Sequence, residues 1–165
     1  MTATLPTEYR PCVGIMLVNH DGKVFAGKRI DHREASGAIG DFWQMPQGGV
    51  DKDEDLQIAA FRELAEETGV TKAHASVLSV TKKPIRYDLP EELLGKLWKG
   101  KYCGQEQIWF LMRFDGSDAD IDLEAYDPPE FCEWKWVDPE EIVSLIVPFK
   151  KHVYRAVLEE FTTLV

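Results

Sequence analysis

The segment from Gly48 to Val70 constrains this chain more than any other stretch. It reads Gly48-Gly49-Val50-Asp51-Lys52-Asp53-Glu54, runs on through seven residues, and closes on Arg62-Glu63-Leu64-Ala65-Glu66-Glu67-Thr68-Gly69-Val70. Leu56 to Thr68 has the spacing of a single helix, with Gly69 placed as its C-cap. On a 3.6-residue repeat, Glu63, Glu66 and Glu67 fall within about 100° of one another. Gln57, Ala60, Phe61 and Leu64 occupy a separate arc suited to packing on a sheet. The helix is therefore expected to bury one side and present a comb of carboxylates on the other.

Like charges this close repel, and the cost is best tolerated when a cation neutralises them. Ligands that offer only oxygen suit Mg²⁺, with Mn²⁺ as a substitute, rather than zinc. Arg62 precedes Glu66 by four residues and can orient a carboxylate from the flank. Gly48 and Gly49 let the backbone approach the site closely, and Gly48 joins the metal-binding set. Three glutamates alone would describe an ordinary solvated face. The full ordered pattern arises by chance in roughly 10⁻⁹ to 10⁻¹⁰ of windows, given typical residue frequencies. A phosphate-cradling loop of the G-K-[ST] kind is excluded, because Gly49 is followed by Val50-Asp51.

The rest of the chain supplies a frame for that helix. Val13–Val18 and Lys23–Ala26 flank the turn Asn19-His20-Asp21-Gly22 and read as a hairpin. Asp31–Asp41 reads as a loop and Phe42–Pro46 as a short extended piece. Further strands are expected at Ala75–Thr81, Ile108–Phe114 and Glu133–Val137. A short helix opens at Pro139 and runs to about Leu145, and a last helix runs from about Pro148 to Phe161. This order predicts an α/β sandwich around a mixed sheet, as one domain over residues 1–165.

Composition excludes several function classes. The 165 residues carry a formal net charge of −10, which disfavours a partner held through many phosphates, such as duplex DNA. A short phosphorylated end in a local basic pocket remains compatible. No apolar run approaches the ~20 residues of a membrane span, and Met1–Pro6 lacks the features of a signal peptide, so a cytoplasmic location and a monomer are expected. The three cysteines, Cys12, Cys103 and Cys132, are far apart and suggest neither a disulfide framework nor a zinc site. His20, His32, His74 and His152 are equally scattered and are read as surface or packing residues.

Gly48, Glu54, Arg62, Glu63, Leu64, Glu66, Glu67, Gly69 and Val70 fill every specified position of the Nudix box, and the segment resembles that superfamily. Other blocks are similar to its bacterial branch of RNA pyrophosphohydrolases and (di)nucleoside polyphosphate hydrolases. They are Tyr9–Gly14, Trp43–Gly49, Arg86–Pro90, Gly104–Phe110, Pro129–Phe131 with Trp134 and Trp136, and Pro148–Lys150 with Val153-Tyr154. The resemblance implies the Nudix α/β/α sandwich, with the catalytic helix in a strand–loop–helix box at 48–70. It also implies Mg²⁺-dependent hydrolysis of nucleoside polyphosphates by direct attack of water.

Under that resemblance Glu66 and Glu67 are the principal metal ligands, joined by Glu63. Glu54 orients the loop or a ligand. Glu130, in the Asp127–Glu130 loop, reaches the metals from opposite the helix and competes for the role of general base. Arg10, Lys28 and Arg29 hold phosphates by position, with Lys82, Lys83 and Arg86 as a second basic cluster. Gln47 and Tyr87 join the substrate contacts. Phe149 stacks on a base or, equally, belongs to the apolar stripe of the last helix, whereas Trp109, Trp134 and Trp136 are read as core. Two substrates stand: the 5′-triphosphate end of RNA, and diadenosine tetraphosphate with its relatives. RNA stands first; the acidic balance and the long segment between Arg29 and Trp43 make extended RNA contacts less secure and raise the dinucleotide reading. A non-catalytic ligand-binding module of the same fold would be expected to lose box glutamates, and none is missing.

Overall fold

The computed structural model of the chain describes residues 6–30, 42–91, 94, 95 and 100–164. The loop expected at Asp31–Asp41, with His32, lies outside the described residues. The spine is a parallel pair of long strands, β1 (Glu8–Val18) and β7 (Tyr102–Phe114), paired from Glu8↔Tyr102 to Val18↔Arg113. Strands β2 (Val24–Arg29), β3 (Trp43–Gln44) and β4 (Gln47–Gly49) precede the helix α1 (Leu56–Thr68). After it come β5 (Ala75–Val80), β6 (Ile85–Asp88), β7, β8 (Phe131–Val137), α2 (Pro139–Leu145) and α3 (Lys151–Phe161). The strands form a mixed sheet of order β3-β2-β1-β7-β5, with β4 on β1, β6 on β7 and β8 on β2, all antiparallel.

Side chains that alternate along β1 and β7 feed two separate cores, as a period of two requires. Val13, Ile15, Leu17, Phe110 and Met112 face α1, where Ala59, Ala60, Phe61 and Leu64 meet them. Met16, Val18, Trp109 and Leu111 face the other way, onto Ile142, Val153, Tyr154, Val157 and Phe161 of the C-terminal helices. A strand covered on both faces reads as a continuous apolar run, which is why Val13–Val18 shows no alternation in sequence. Among the described residues, no helix is long and apolar enough to cross a membrane.

The expected helices match, with Pro148–Lys150 a 3₁₀ turn leading into α3. The strands differ at their starts. β7 begins at Tyr102 rather than Ile108, because Gln105 and Gln107, both buried, satisfy each other through a 2.7 Å bond instead of showing an apolar pattern. β4 and β6 are strands only because neighbours pair with them. The first turn of α1 projects past the sheet, so Gln57 is exposed with Leu56 and Ile58, and Ala59 takes the packing place expected of Gln57.

Candidate active site

The carboxylate helix is capped at both ends by its own sequence. The Asp55 side chain accepts from the N–H groups of Gln57 and Ile58 at 3.0 and 3.2 Å, meeting two donors that the first turn leaves open. Gly69 ends the helix in the left-handed region at φ 75°, and its N–H bonds to the Ala65 carbonyl. Burying Leu64 and its neighbours fixes the rotation of the helix; one such side chain contributes ~1.5–3 kcal/mol. That rotation turns Glu63, Glu66 and Glu67 toward β4.

Arg62 is the hub of this wall. Its Nε and Nη2 donate to the two Glu54 oxygens at 2.8 and 2.9 Å, and Nη2 also donates to the Gly49 carbonyl at 2.9 Å. Its Nη1 donates to Glu63 at 2.8 Å and reaches Glu66 at 3.4 Å. Glu54 therefore orients Arg62, and Arg62 orients the helix carboxylates. The Arg62 fork, helped by the Asp51 N–H, holds Glu54 down at about 2.

Gly48 is required by contact. A side chain there would run into the Glu63 carboxylate, which lies directly on the strand backbone. At Gly49 the Arg10 guanidinium occupies the corresponding space. Burial pushes Glu63 up to about 7, against the pull of Arg62. Glu67 is buried and accepts the Gln47 N–H at 3.1 Å. Burial, followed by the charges of Glu130 and Glu63, raises it well above the usual carboxylate range.

Glu63, Glu66 and Glu67 form one wall of a cleft of about 290 Å³, and Tyr126, Asp127, Pro128 and Glu130 form the other. Glu130 is brought there by its place just before Phe131, whose ring is buried under β2, and by the bond from the Ile30 N–H to its carbonyl. Among the described residues no three side chains already stand at ligand spacing, since the helix carboxylates are turned to Arg62 and Gln47. The donor set still fits a hard divalent cation: it is all carboxylate oxygen, and burial, with the neighbouring carboxylate charges second, raises the proton affinity of its most buried member.

The expected substrate contacts divide into two groups. Gln47 faces both ways, with its N–H on Glu67 and its side-chain oxygen accepting from Gln107 at 3.4 Å. Beyond it is a small cavity lined by Gln44, Tyr87, Trp109, Lys150 and Tyr154. Tyr87 is buried, with its ring 5.7 Å from that of Phe149, which is half-buried against the core. Lys28 turns to Glu133 at 3.5 Å, and Arg29 donates to Gln44 at 3.4 Å, both at the C-terminal end of β2. The second basic cluster is not gathered at the cleft. Arg86 pairs with Glu106 at 3.0 Å and covers the Tyr9 ring, while the Lys82 N–H bonds to Glu160. Trp109 is core as expected, whereas Trp134 and Trp136 are half-buried around Phe25.

Lys150 and Tyr126 escaped the sequence reading. The Lys150 ammonium lies 5.4 and 5.6 Å from the Tyr87 and Phe149 rings. Its only signal is its position directly after Phe149. Tyr126 has a weaker one, as an aromatic residue in an acidic loop near Glu130.

The chain and its fold have counterparts among known proteins. The NUDIX domain family matches residues 8–157. The RNA pyrophosphohydrolase of Erythrobacter litoralis is 59% identical over 158 residues, which cover 96% of this chain and 93% of that protein. The RNA pyrophosphohydrolase of Novosphingobium aromaticivorans is 55% identical over 157 residues, covering 95% and 94%. Among solved structures, the E. coli dihydroneopterin triphosphate pyrophosphohydrolase superposes with a TM-score of 0.68 at 19% identity, covering 96% of this chain and 100% of that one. That likeness is one of fold, an α/β sandwich on a mixed sheet with the box helix against it. With the family match spanning nearly all of the sheet and both helical layers, the chain belongs to the Nudix family.

Proposed function

We propose that this chain is a divalent-metal-dependent pyrophosphohydrolase that acts on the 5′-triphosphate end of RNA, releasing pyrophosphate and leaving a 5′-monophosphate. The observation that carries the chemistry is the cleft in which Glu130 faces Glu63, Glu66 and Glu67. The substrate rests on the relatives, which bear the name RNA pyrophosphohydrolase over almost the whole chain. The acidic balance does not oppose this, because only the phosphorylated end need enter the site. The single domain over 1–165, the monomer and the cytoplasmic location belong to the same reading.

Glu63, Glu66, Glu67 and Glu130, with the Gly48 backbone, would hold Mg²⁺ or Mn²⁺. Such an ion supplies neutralisation of the phosphate oxygens and lowers the pKa of a water. Arg62 and Glu54 keep the helix carboxylates in place while that charge is bound. Arg10 and Lys150 would take the phosphate tail, with Arg29 at the end of β2. Tyr87 and Phe149 offer ring faces for the first nucleotides. Water oxygen bonds to phosphorus as the bridging P–O bond breaks, and its proton passes to a cleft carboxylate, for which Glu67 and Glu130 are placed. The bridging oxygen leaves with the phosphate that is not attacked, so one water is consumed for each end trimmed.

The test is incubation with 5′-triphosphorylated RNA and Mg²⁺, separating pyrophosphate from orthophosphate and scoring the RNA end with a monophosphate-specific nuclease. Pyrophosphate and a 5′-monophosphate end are expected, and both are expected to vanish with chelator. An RNA left triphosphorylated with metal present would overturn the reading.

A further inference from the structure

Gln44, Gln47 and Gln107 line the small cavity beside Tyr87 and Lys150, and a fourth glutamine, Gln105, is bonded to Gln107. The Trp109 indole N–H donates to Gln107 Oε1 at 2.9 Å. An indole nitrogen can only donate, so this contact fixes which end of the Gln107 amide is oxygen. Gln107 Nε2 then donates to Gln105 Oε1 at 2.7 Å and to Gln47 Oε1 at 3.4 Å. Gln44 is turned in the same sense, because its Oε1 accepts from the Arg29 guanidinium, which also can only donate.

The side-chain oxygens of Gln44, Gln47 and Gln105 are thus all taken by protein donors, and the NH2 end of each is what remains for a ligand. Gln44 is 1% exposed, and its Nε2 has no hydrogen-bond partner among the described residues. Gln105 stands in register between Arg10 on β1 and Tyr87 on β6. Arg10 and Lys150 add charge and, like the three amide nitrogens, only donate. Such a set matches the oxygens of a phosphate chain, which accept. A nucleobase or a ribose offers donors as well and matches it poorly. Were the Gln107 amide reversed, its oxygen would draw the NH2 ends of Gln105 and Gln47, and their oxygens would face the anion instead.

We propose that Trp109, a core residue outside the box, is a positioning residue for the phosphate tail of the substrate. Acting through Gln107, its indole N–H sets the polarity of the Gln105 and Gln47 amides, so that both offer NH2 to phosphate oxygens. This deepens the reading of the chain as a hydrolase of RNA 5′-triphosphate ends and rests on it. Trp109 itself touches neither the metal nor the reacting phosphorus.

The test compares Trp109→Phe, Gln107→Met and the double variant on triphosphorylated RNA, with a 5′-hydroxyl RNA of the same sequence as a competitive inhibitor. Trp109→Phe keeps an aromatic ring against Tyr154 and removes only the donor. KM for triphosphorylated RNA is expected to rise about tenfold, with kcat within about twofold of the parent, as for lost hydrogen bonds to a charged group. The Ki of the 5′-hydroxyl RNA should stay within about twofold, since it has no phosphate tail. Gln107→Met should raise KM to the same degree, and the double variant no further, because the two residues act in series. The inference is overturned if Trp109→Phe keeps the parent KM, if it weakens both RNAs alike, or if the two substitutions multiply. Should Trp109→Phe fail to fold by circular dichroism, Gln107→Met decides, and a parental KM there overturns the inference. A parent inactive on triphosphorylated RNA would remove the hydrolytic reading. The Kd of inorganic tripolyphosphate with Mg²⁺, expected to rise in the same variants, then decides the inference by itself, and an unchanged Kd overturns it.

Discussion

The two walls of the cleft are built in opposite ways. On the α1 wall every glutamate has a partner: Glu54 and Glu63 on Arg62, Glu66 at the edge of the same guanidinium, Glu67 on the Gln47 N–H. On the facing wall Tyr126, Asp127 and Glu130 are all exposed, and Glu130 is held through its backbone by the Ile30 N–H. One wall is organised before any ligand arrives, and the other is free to adjust around what arrives. A fixed comb suits an ion with strict geometric demands, whereas an exposed loop suits substrates that vary beyond the reacting phosphates.

The largest expected effect tests that division directly. Glu67→Gln should lower the hydrolysis rate by roughly 10²–10⁴, the range for losing a positioned acid–base or ligand carboxylate. The thermal midpoint of the metal-free protein should hold or rise, because a neutral amide replaces a carboxylate that resists ionising there. Glu130→Gln should cost less activity. If it costs more, the adjustable wall carries the chemistry and the contrast is reversed. The measurements are steady-state kinetics on triphosphorylated RNA and calorimetry.

Next in size is Gly48→Ala. The new methyl displaces the Glu63 carboxylate, and misplacement of about an ångström costs on the order of 10²-fold in rate. The β4 ladder to β1 should survive, so circular dichroism should stay native while activity falls. An alanine enzyme with parental kcat would mean that Glu63 has no fixed duty.

The smallest effect sharpens the structural side. Glu54 has a folded pKa lowered to about 2 from an ordinary 4.5. Its contribution to stability is therefore present above about 4.5 and fades as pH falls toward 2. Glu54→Gln should remove part of the acid-side slope of a pH–stability curve between those values and leave the neutral side flat. An unchanged slope would show that the Arg62 fork does not stabilise the wall.

How far the molecule was legible in sequence follows the same division. The α1 wall is local: its caps, carboxylate spacing and buried arc lie within residues 54–69, so helix rules and the box motif read it closely. Gln57 was misplaced because periodicity alone does not say where the sheet beneath a helix stops. Glu130 carried no local signal and came from the family resemblance. Tyr126 and Lys150 came from neither, since their importance lies in what they face across the cleft. β4 and the first half of β7 were missed because glycines and glutamines pair there through long-range ladders and buried amides, which hydrophobic patterning cannot register.

The parallel ladder between β1 and β7 carries a consequence for how the molecule assembles. It joins Val13 to Ile108 and Arg10 to Gln105, so strands far apart in sequence must meet before the sheet has a centre. Parallel pairing across such separations closes large loops before contacts repay the lost entropy, which slows folding. Arg10 rides on β1, and Gly48 and Gly49 are registered against its residues Val13 and Cys12. On a ribosome, α1 is synthesised long before β7 and can coil early. Its carboxylates gain Glu130 across the cleft only when the second half of the protein has emerged. Half-made chains therefore carry the most recognisable part of the enzyme without a working site.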